Sequence, residues 1–163
     1  MLVLSENVLS MRAYDSIQGT TTWENSELRQ YLNNEFYSRF NTAERSRIMQ
    51  TRNVNVDNQW FGTDGGNDTD DRVFLLSIEE VVRYFGDSGE LGNNNWSGII
   101  DNYNSLRMAK NTAGEVRAWL LRSPGRHGSY AARVCSAGSI VGHGWPIGNP
   151  EGVRPALWLN LGS

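Results

Sequence analysis

The chain has one cysteine, one lysine and no long apolar run among its 163 residues. A single cysteine, Cys135, excludes an internal disulfide, a paired-cysteine redox centre and a cysteine-rich zinc site. No stretch approaches the roughly 20 apolar residues that cross a bilayer, so no membrane insertion is expected. The opening MLVLSENVL has no basic segment followed by a long apolar one and reads as a first strand rather than a secretory signal. Compartment stays open. A basic excess is missing too: net charge is −3 with acids and bases interspersed, which argues against a phosphate-neutralising surface and a nucleic-acid partner. Lys110 is the sole lysine and every other cation is arginine, a bias we ascribe to nucleotide composition. Between positions 120 and 150 there is no Asp or Glu, and no Lys, Gln or Met.

What is present describes a globular chain, with 39% hydrophobic and 20% charged residues. Its length suits a single domain over 1–163 with its own core. TTWENSELRQYLNNEFYSRF reads as a helix, with Leu28, Tyr31, Leu32 and Phe36 at helical spacing and Thr21 or Thr22 as its cap. NTAERSRIM reads as a second, short helix opened by Asn41 or Thr42. TRNVNVD alternates, which predicts a strand with Val54 and Val56 on one face. RVFLLS reads as a buried strand running into SIEEVVRYFG, a helix with a Ser77–Glu80 capping box and a terminal Gly86. Positions 87–112 read as an irregular excursion anchored by Trp96, Ile99, Ile100 and Tyr103. The remainder is short β runs, glycines and prolines. Helices come early and strands late without βαβ alternation, so the fold class is α+β with a mostly antiparallel sheet and long irregular loops.

The stretch RHGSYAARVCSAGSIVGHGW holds both histidines and the cysteine. Placing Cys135 opposite Ser139 leaves Ser136, Ala137 and Gly138 as a three-residue hairpin loop with glycine at the left-handed position. Val134 then faces Ile140, and a small, apolar set points inward with Ala132. The other face carries Arg133, Cys135, Ser139, Val141, His143 and Trp145, with His143 opposite Ala131. A Cys–His catalytic pair needs hydrogen-bond contact and an orienting third group. Cys135 and His143 lie two same-face pairs apart, and a carboxylate would have to come from outside 120–150. Zinc on His127, Cys135 and His143 lacks the ligand number and spacing such sites use. A display without chemistry is the preferred reading, and no cofactor or metal is expected. The acidic run TDGGNDTDD lacks the ligand order and distant Glu of an EF-hand, and reads as a turn. Trp23, Trp119 and Trp158 read as core, Trp60 and Trp96 as loop anchors, and Trp145 as exposed for recognition.

Four blocks, TTWENSELRQYLNNEFYSRF, DRVFLLSIEEVVRYF, WLLRSPG and GVRPALWLNL, resemble a family of uncharacterised microbial domains. That family carries a W-x-x-S-x-LR-x-x-LN helix, a D-x-VFLLS-x-E-E block and a terminal LRSPG…GVRPALWL pair. The last part is similar to the formylglycine-generating-enzyme type of C-type lectin fold, and to variable proteins of diversity-generating retroelements. The resemblance implies paired termini and a display surface on the last strands, varied by adenine-directed mutagenesis of AAC-type codons. It marks Arg126, His127, Ser129, Tyr130, Arg133, Cys135, Ser136, Ser139, Val141 and His143 as display positions in a variable region over 120–150. Each of these has a codon that changes only the first two letters of AAC. Trp145 does not fit that scheme and joins the site on its chemistry. The scaffold positions are then Trp119, Leu121, Arg122, Pro124, Ala132, Val134, Ile140, Arg154, Pro155 and Leu157, with Arg122 and Arg154 in buried pairs. The implied function is binding of a protein or surface glycan. A fixed-specificity glycan-binding or adhesion module and, last, a Cys/His enzyme are the alternatives.

Overall fold

Short β runs near the end of the chain need partners, and they take them both from one another and from the first residues. The computed structural model describes residues 1–17, 19–86 and 101–162. Its strands in chain order are β1 (Leu2–Leu4), β2 (Ser10–Arg12), β3 (Ile48–Met49), β4 (Thr51–Asn53), β5 (Thr69–Asp71), β6 (Ala109–Lys110) and β7 (Val116–Arg117). There follow β8 (Trp119–Pro124), β9 (Tyr130–Val134), β10 (Ile140–Pro146), β11 (Glu151–Val153) and β12 (Ala156–Leu159). The α-helices are α1 (Glu27–Tyr31), α2 (Thr42–Arg47), α3 (Ile78–Phe85) and α4 (Asn104–Arg107). A five-stranded sheet has the order β10-β9-β8-β11-β2 and a three-stranded one the order β1-β12-β3. Their pairings are antiparallel apart from β8 with β11. The class is α+β with mostly antiparallel sheets. The first and last strands pair directly, Leu2 opposite Trp158 and Leu4 opposite Ala156.

Local signals survive intact where a side chain caps its own helix. Asn41 with Glu44 opens α2 and Ser77 with Glu80 opens α3, both as reciprocal capping boxes, and Gly86 at φ +92° follows α3. The expected single helix over 21–40 is broken instead. Trp23–Asn25 is a 3-10 turn, Ser26 is extended, and its hydroxyl caps α1 by accepting from the Arg29 N–H at 3.2 Å. Beyond Tyr31 the chain widens into a π turn over Leu32–Phe36 and tightens again over Tyr37–Arg39.

The reason for the break is a buried carboxylate. Asp71 is 0% exposed and accepts from Trp23 Nε1 (3.0 Å), Arg29 Nε (2.6 Å), Asn53 Nδ2 (2.9 Å) and Thr69 Oγ1 (2.7 Å). The bend at Ser26 lets Trp23 and Arg29 reach the same group. Asn33, inside the π turn, accepts from the Arg72 and Val73 N–H groups and donates to the Val73 carbonyl. This layer also inverts the 54–57 segment. Val54 and Val56, expected to share a strand face, stand 58% and 44% exposed beyond the end of β4. Asn53 and Asn55 face in, Asn55 accepting from Arg122 Nε at 3.2 Å. Alternation marks two faces, and here the polar one is inside because charged partners await it.

Val73, Phe74, Leu75 and Leu76 are buried as expected, but only Phe74 bridges to a strand, at Ala156. They join Trp23, Leu28, Leu32, Trp119 and Leu121 in one core cluster, with Trp158 and Trp60 packed at its edge. Of the expected excursion, positions 87–100, with Trp96, Ile99 and Ile100, lie outside the described residues. Positions 101–112 contain α4 and β6 rather than loop alone.

Tyr14 ties the core to β8, its hydroxyl donating to the Arg122 carbonyl at 3.0 Å. Complete burial pushes this phenol far above its ordinary value of 10.0. The folded state therefore holds a proton that the unfolded chain releases near pH 10, so this stabilisation is full below pH 10 and is lost as pH rises past it. Tyr14→Phe should cost about 1 kcal/mol at neutral pH and flatten the alkaline loss of stability in urea melts. An alkaline limb as steep in the variant as in the parent would refute the assignment.

Candidate ligand-binding site

The β9–β10 hairpin forms with the turn that Gly138 dictates. Val134 lies opposite Ile140 and Arg133 opposite Val141. The Cys135 N–H donates to the Ser139 carbonyl and the Gly138 N–H to the Cys135 carbonyl, both at 2.9 Å, with Gly138 at φ +83°. Ala132, Val134 and Ile140 are buried on the core side. Further along, the register slips. Ala131 faces Trp145, not His143, because Gly142, His143 and Gly144 form a bulge. A Cβ on Gly142 would meet Trp60 at 2.2 Å, and one on Gly144 would lie 2.5 Å from the Ala131 carbonyl. Asn58 pins the bulge from a distant loop, donating to the Pro124 and Gly142 carbonyls at 2.9 Å each. Nothing in the hairpin's own sequence points to Asn58 or Trp60. The bulge turns the His143 carbonyl to accept from the Arg126 N–H at 2.9 Å, drawing the loop after β8 onto the hairpin.

The display residues form two clusters. In the first, Arg126 Nη2 donates to the Tyr130 hydroxyl at 2.7 Å, and its guanidinium lies 4.3 Å from that ring's centre. The His127 ring meets the Tyr130 ring edge-on at 4.6 Å, and its Nδ1 is 2.8 Å from Ser129 Oγ. In the second, the Arg133 guanidinium stacks 3.9 Å from the Trp145 ring centre and pairs with Glu151 at 2.5 Å. Glu151 is the carboxylate from outside 120–150, and it meets an arginine rather than a histidine. Because Leu120 pairs with Arg133, this ion pair reaches across β8 and helps to seal Leu120.

Two display positions are withdrawn from the surface. Ser139 and Val141 are only 5% and 7% exposed. The 101–107 segment lies against the tip: Asn104 Nδ2 donates to Ser139 Oγ at 3.3 Å and Arg107 Nη1 to the Gly138 carbonyl at 3.3 Å. Trp145 is half-buried beneath Arg133 rather than open, and its Nε1 is buried without a hydrogen-bond partner among the described residues. Arg126, Ser129, Tyr130, Arg133, Cys135 and His143 are half-buried, and His127 and Ser136 are exposed. No hydrogen bond joins the Cys135 thiol to either imidazole among the described residues.

The expected scaffold positions are buried, Leu157 less fully than the others. Arg122 pairs with Glu80, its Nη1 also donating to the Leu75 carbonyl at 2.8 Å. Arg154 is otherwise: it forms no ion pair among the described residues and stacks on Trp119 and Phe85 at 4.9 and 5.4 Å. The four sequence blocks thus meet in space, Trp23, Arg29 and Asn33 on Asp71, Arg122 on Glu80, and Ala156 on Phe74. Over residues 1–161 the chain matches a domain of unknown function, DUF6273. It belongs to that family. No curated protein and no solved structure matches it.

In this DUF6273 domain the acidic run behaves as a turn. Asp64 accepts from the Gly66 N–H at 2.8 Å, Asp68 pairs with Arg52 at 3.3 Å, and Asp71 is the buried hub. No group of three or more His, Cys, Asp or Glu side chains among the described residues could hold a metal ion.

Proposed function

We propose that this DUF6273 chain binds a protein or surface-glycan ligand through a varied surface carried on a constant, C-type-lectin-like scaffold. The reading invokes no catalysis and no cofactor. The observation that carries it is the layering of the hairpin. Arg126, His127, Ser129, Tyr130, Arg133, Cys135, Ser136, His143 and Trp145 keep accessible surface, while Ala131, Ala132, Val134, Ile140, Gly142 and Gly144 between them are buried. Side chains in the first set can change without repacking the core. Ser139 and Val141 leave the contact set. Arginine and aromatic residues dominate binding hot spots, and here they are stacked in advance, which lowers the ordering cost of association. Direct pairing of the first and last strands supports the lectin-like scaffold.

Diversification is tested in the coding DNA. A near-copy of the 120–150 region differing only at adenines, beside a reverse transcriptase gene, is the expected finding, and its absence removes the retroelement. Display is tested by libraries: substitutions at the accessible positions other than Arg133, which neutralises the buried Glu151, should shift the melting temperature by under about 3 °C. Substitutions at Ala132, Val134 or Ile140 should unfold most members.

A fixed-specificity glycan-binding module is the second reading. It is favoured by a cleft of about 340 Å³ lined by Thr20, Thr21, Thr22, Asn25, Thr63, Asp64 and Gly128, rich in hydroxyls and touching the display loop. Loss of glycan binding on Thr63→Val, with Arg133→Ala silent, would select it.

A further inference from the structure

Buried guanidinium groups need carboxylates, since isolating a cation from water costs several kcal/mol. The described residues contain three buried arginines. Arg107 meets Asp101 at 2.8 Å and Arg122 meets Glu80. Arg154, only 7% exposed, meets no carboxylate among the described residues. Its Nε donates to the Ser5 carbonyl at 2.8 Å, and Nη1 is buried without a partner among the described residues. A guanidinium carries five N–H donors, and here only the one on Nε has an acceptor among those residues. Exposed Glu6 contributes field but no ion pair. Burial pushes this guanidinium down to about 10, the sign of a cation held without its counter-charge.

Arg154 is also a wall of a pocket. Leu2, Leu4, Leu76, Tyr84 and Phe85 complete a cavity of about 360 Å³, within the size range of small-molecule sites. Its surface is apolar apart from the guanidinium and the Tyr84 hydroxyl, which has no hydrogen-bond partner among the described residues. Tyr84 is 43% exposed, so the pocket has an open side. None of these residues belongs to the 126–146 display segment.

We infer that this pocket binds a small carboxylate with an apolar body, its carboxylate paired to the free edge of Arg154 and its hydrocarbon against Leu2, Leu4, Leu76 and Phe85. The charge complements a buried cation that has no ion-pair partner among the described residues, and the apolar walls exclude strongly hydrated anions. The ligand supplies the partner that Asp101 and Glu80 give to the other two arginines.

The test is thermal unfolding of the full chain with octanoate, 1-octanol or acetate. Octanoate at tenfold excess over its Kd should raise the melting temperature by about 3 °C or more, while octanol and acetate at equal concentration should do little. Arg154→Met should abolish the octanoate response. It should not lower the ligand-free melting temperature by more than a few degrees, because it removes an unpaired charge and sets a thioether of similar reach beside the Trp119 ring that the guanidinium stacks on. Equal responses to octanoate and octanol would overturn the proposal, and this arm needs no variant. A retained octanoate response in Arg154→Met would overturn it as well.

Discussion

Replacing Asp71 by alanine is expected to cost about 3–5 kcal/mol, a large share of the 5–15 kcal/mol that holds a domain together. The carboxylate is fully buried and gathers donors from four parts of the chain: Trp23 before α1, Arg29 within it, Asn53 on β4 and Thr69 on β5. Alanine leaves an indole N–H, an amide and a hydroxyl unsatisfied in the interior and removes the counter-charge of Arg29, whose side chain is 25% exposed. Asp71→Asn keeps the shape and one acceptor oxygen but turns an NH2 toward groups that also donate, so its loss should be intermediate. Guanidinium unfolding with an unchanged m-value measures both. A loss below about 1 kcal/mol for the alanine variant would mean that water enters and satisfies the donors.

That hub explains what the sequence pattern is for. Trp23, Ser26, Arg29 and Asn33 are the fixed letters of the first block, and Asp71 opens the second. Together they bend the first helix and close it over β5. Arg122, from the LRSPG block, meets Glu80, from the capping box of α3. The blocks that carry the resemblance are therefore a scaffold joined by buried polar contacts. Between LRSPG and GVRPALW, the side chains of Arg126, His127, Ser129 and Tyr130 contact one another, as do those of Arg133, Trp145 and Glu151.

Legibility followed the range of the interaction. The capping box at Ser77, the loop ending at Gly138 and the Val134–Ile140 register all depend on residues within a few positions and form as read, and of the two caps offered for the second helix, Asn41 and Thr42, it is Asn41 that caps. The bulge at 142–144 depends on Asn58 and Trp60, some eighty positions earlier, so strand parity could not place His143. Burial of Ser139 depends on α4 lying against the tip, another non-local contact. The break in the first helix would have been findable. Ser26 with a backbone N–H three residues on is a capping position in its own right, and helical spacing of apolar residues on both sides concealed it. Val54 and Val56 show the limit of hydropathy, since a polar interior face reverses the usual inference from alternation.

The clamp on the hairpin tip yields the second large effect. Arg107 is fully buried, pairs with Asp101, and donates to the carbonyls of Gly86 and Gly138, while its own carbonyl accepts from Trp119 Nε1. Arg107→Ala should cost about 3–5 kcal/mol, because it removes the counter-charge of the buried Asp101 carboxylate. Arg107→Met with Asp101→Leu removes both charges at similar volume and should cost less than the single change, a coupling that a double-mutant cycle isolates. A double variant as unstable as Arg107→Ala would show that the hydrogen bonds to the two glycine carbonyls, and not the ion pair, hold the tip. In either variant the Cys135 and Ile140 amides should exchange faster with solvent, since α4 no longer covers the turn. The display face sits on that turn. On the proposed function, the accessible side chains depend on the tip beneath them staying fixed, so a ligand bound there should lose affinity in Arg107→Ala although Arg107 is buried and outside the contact set.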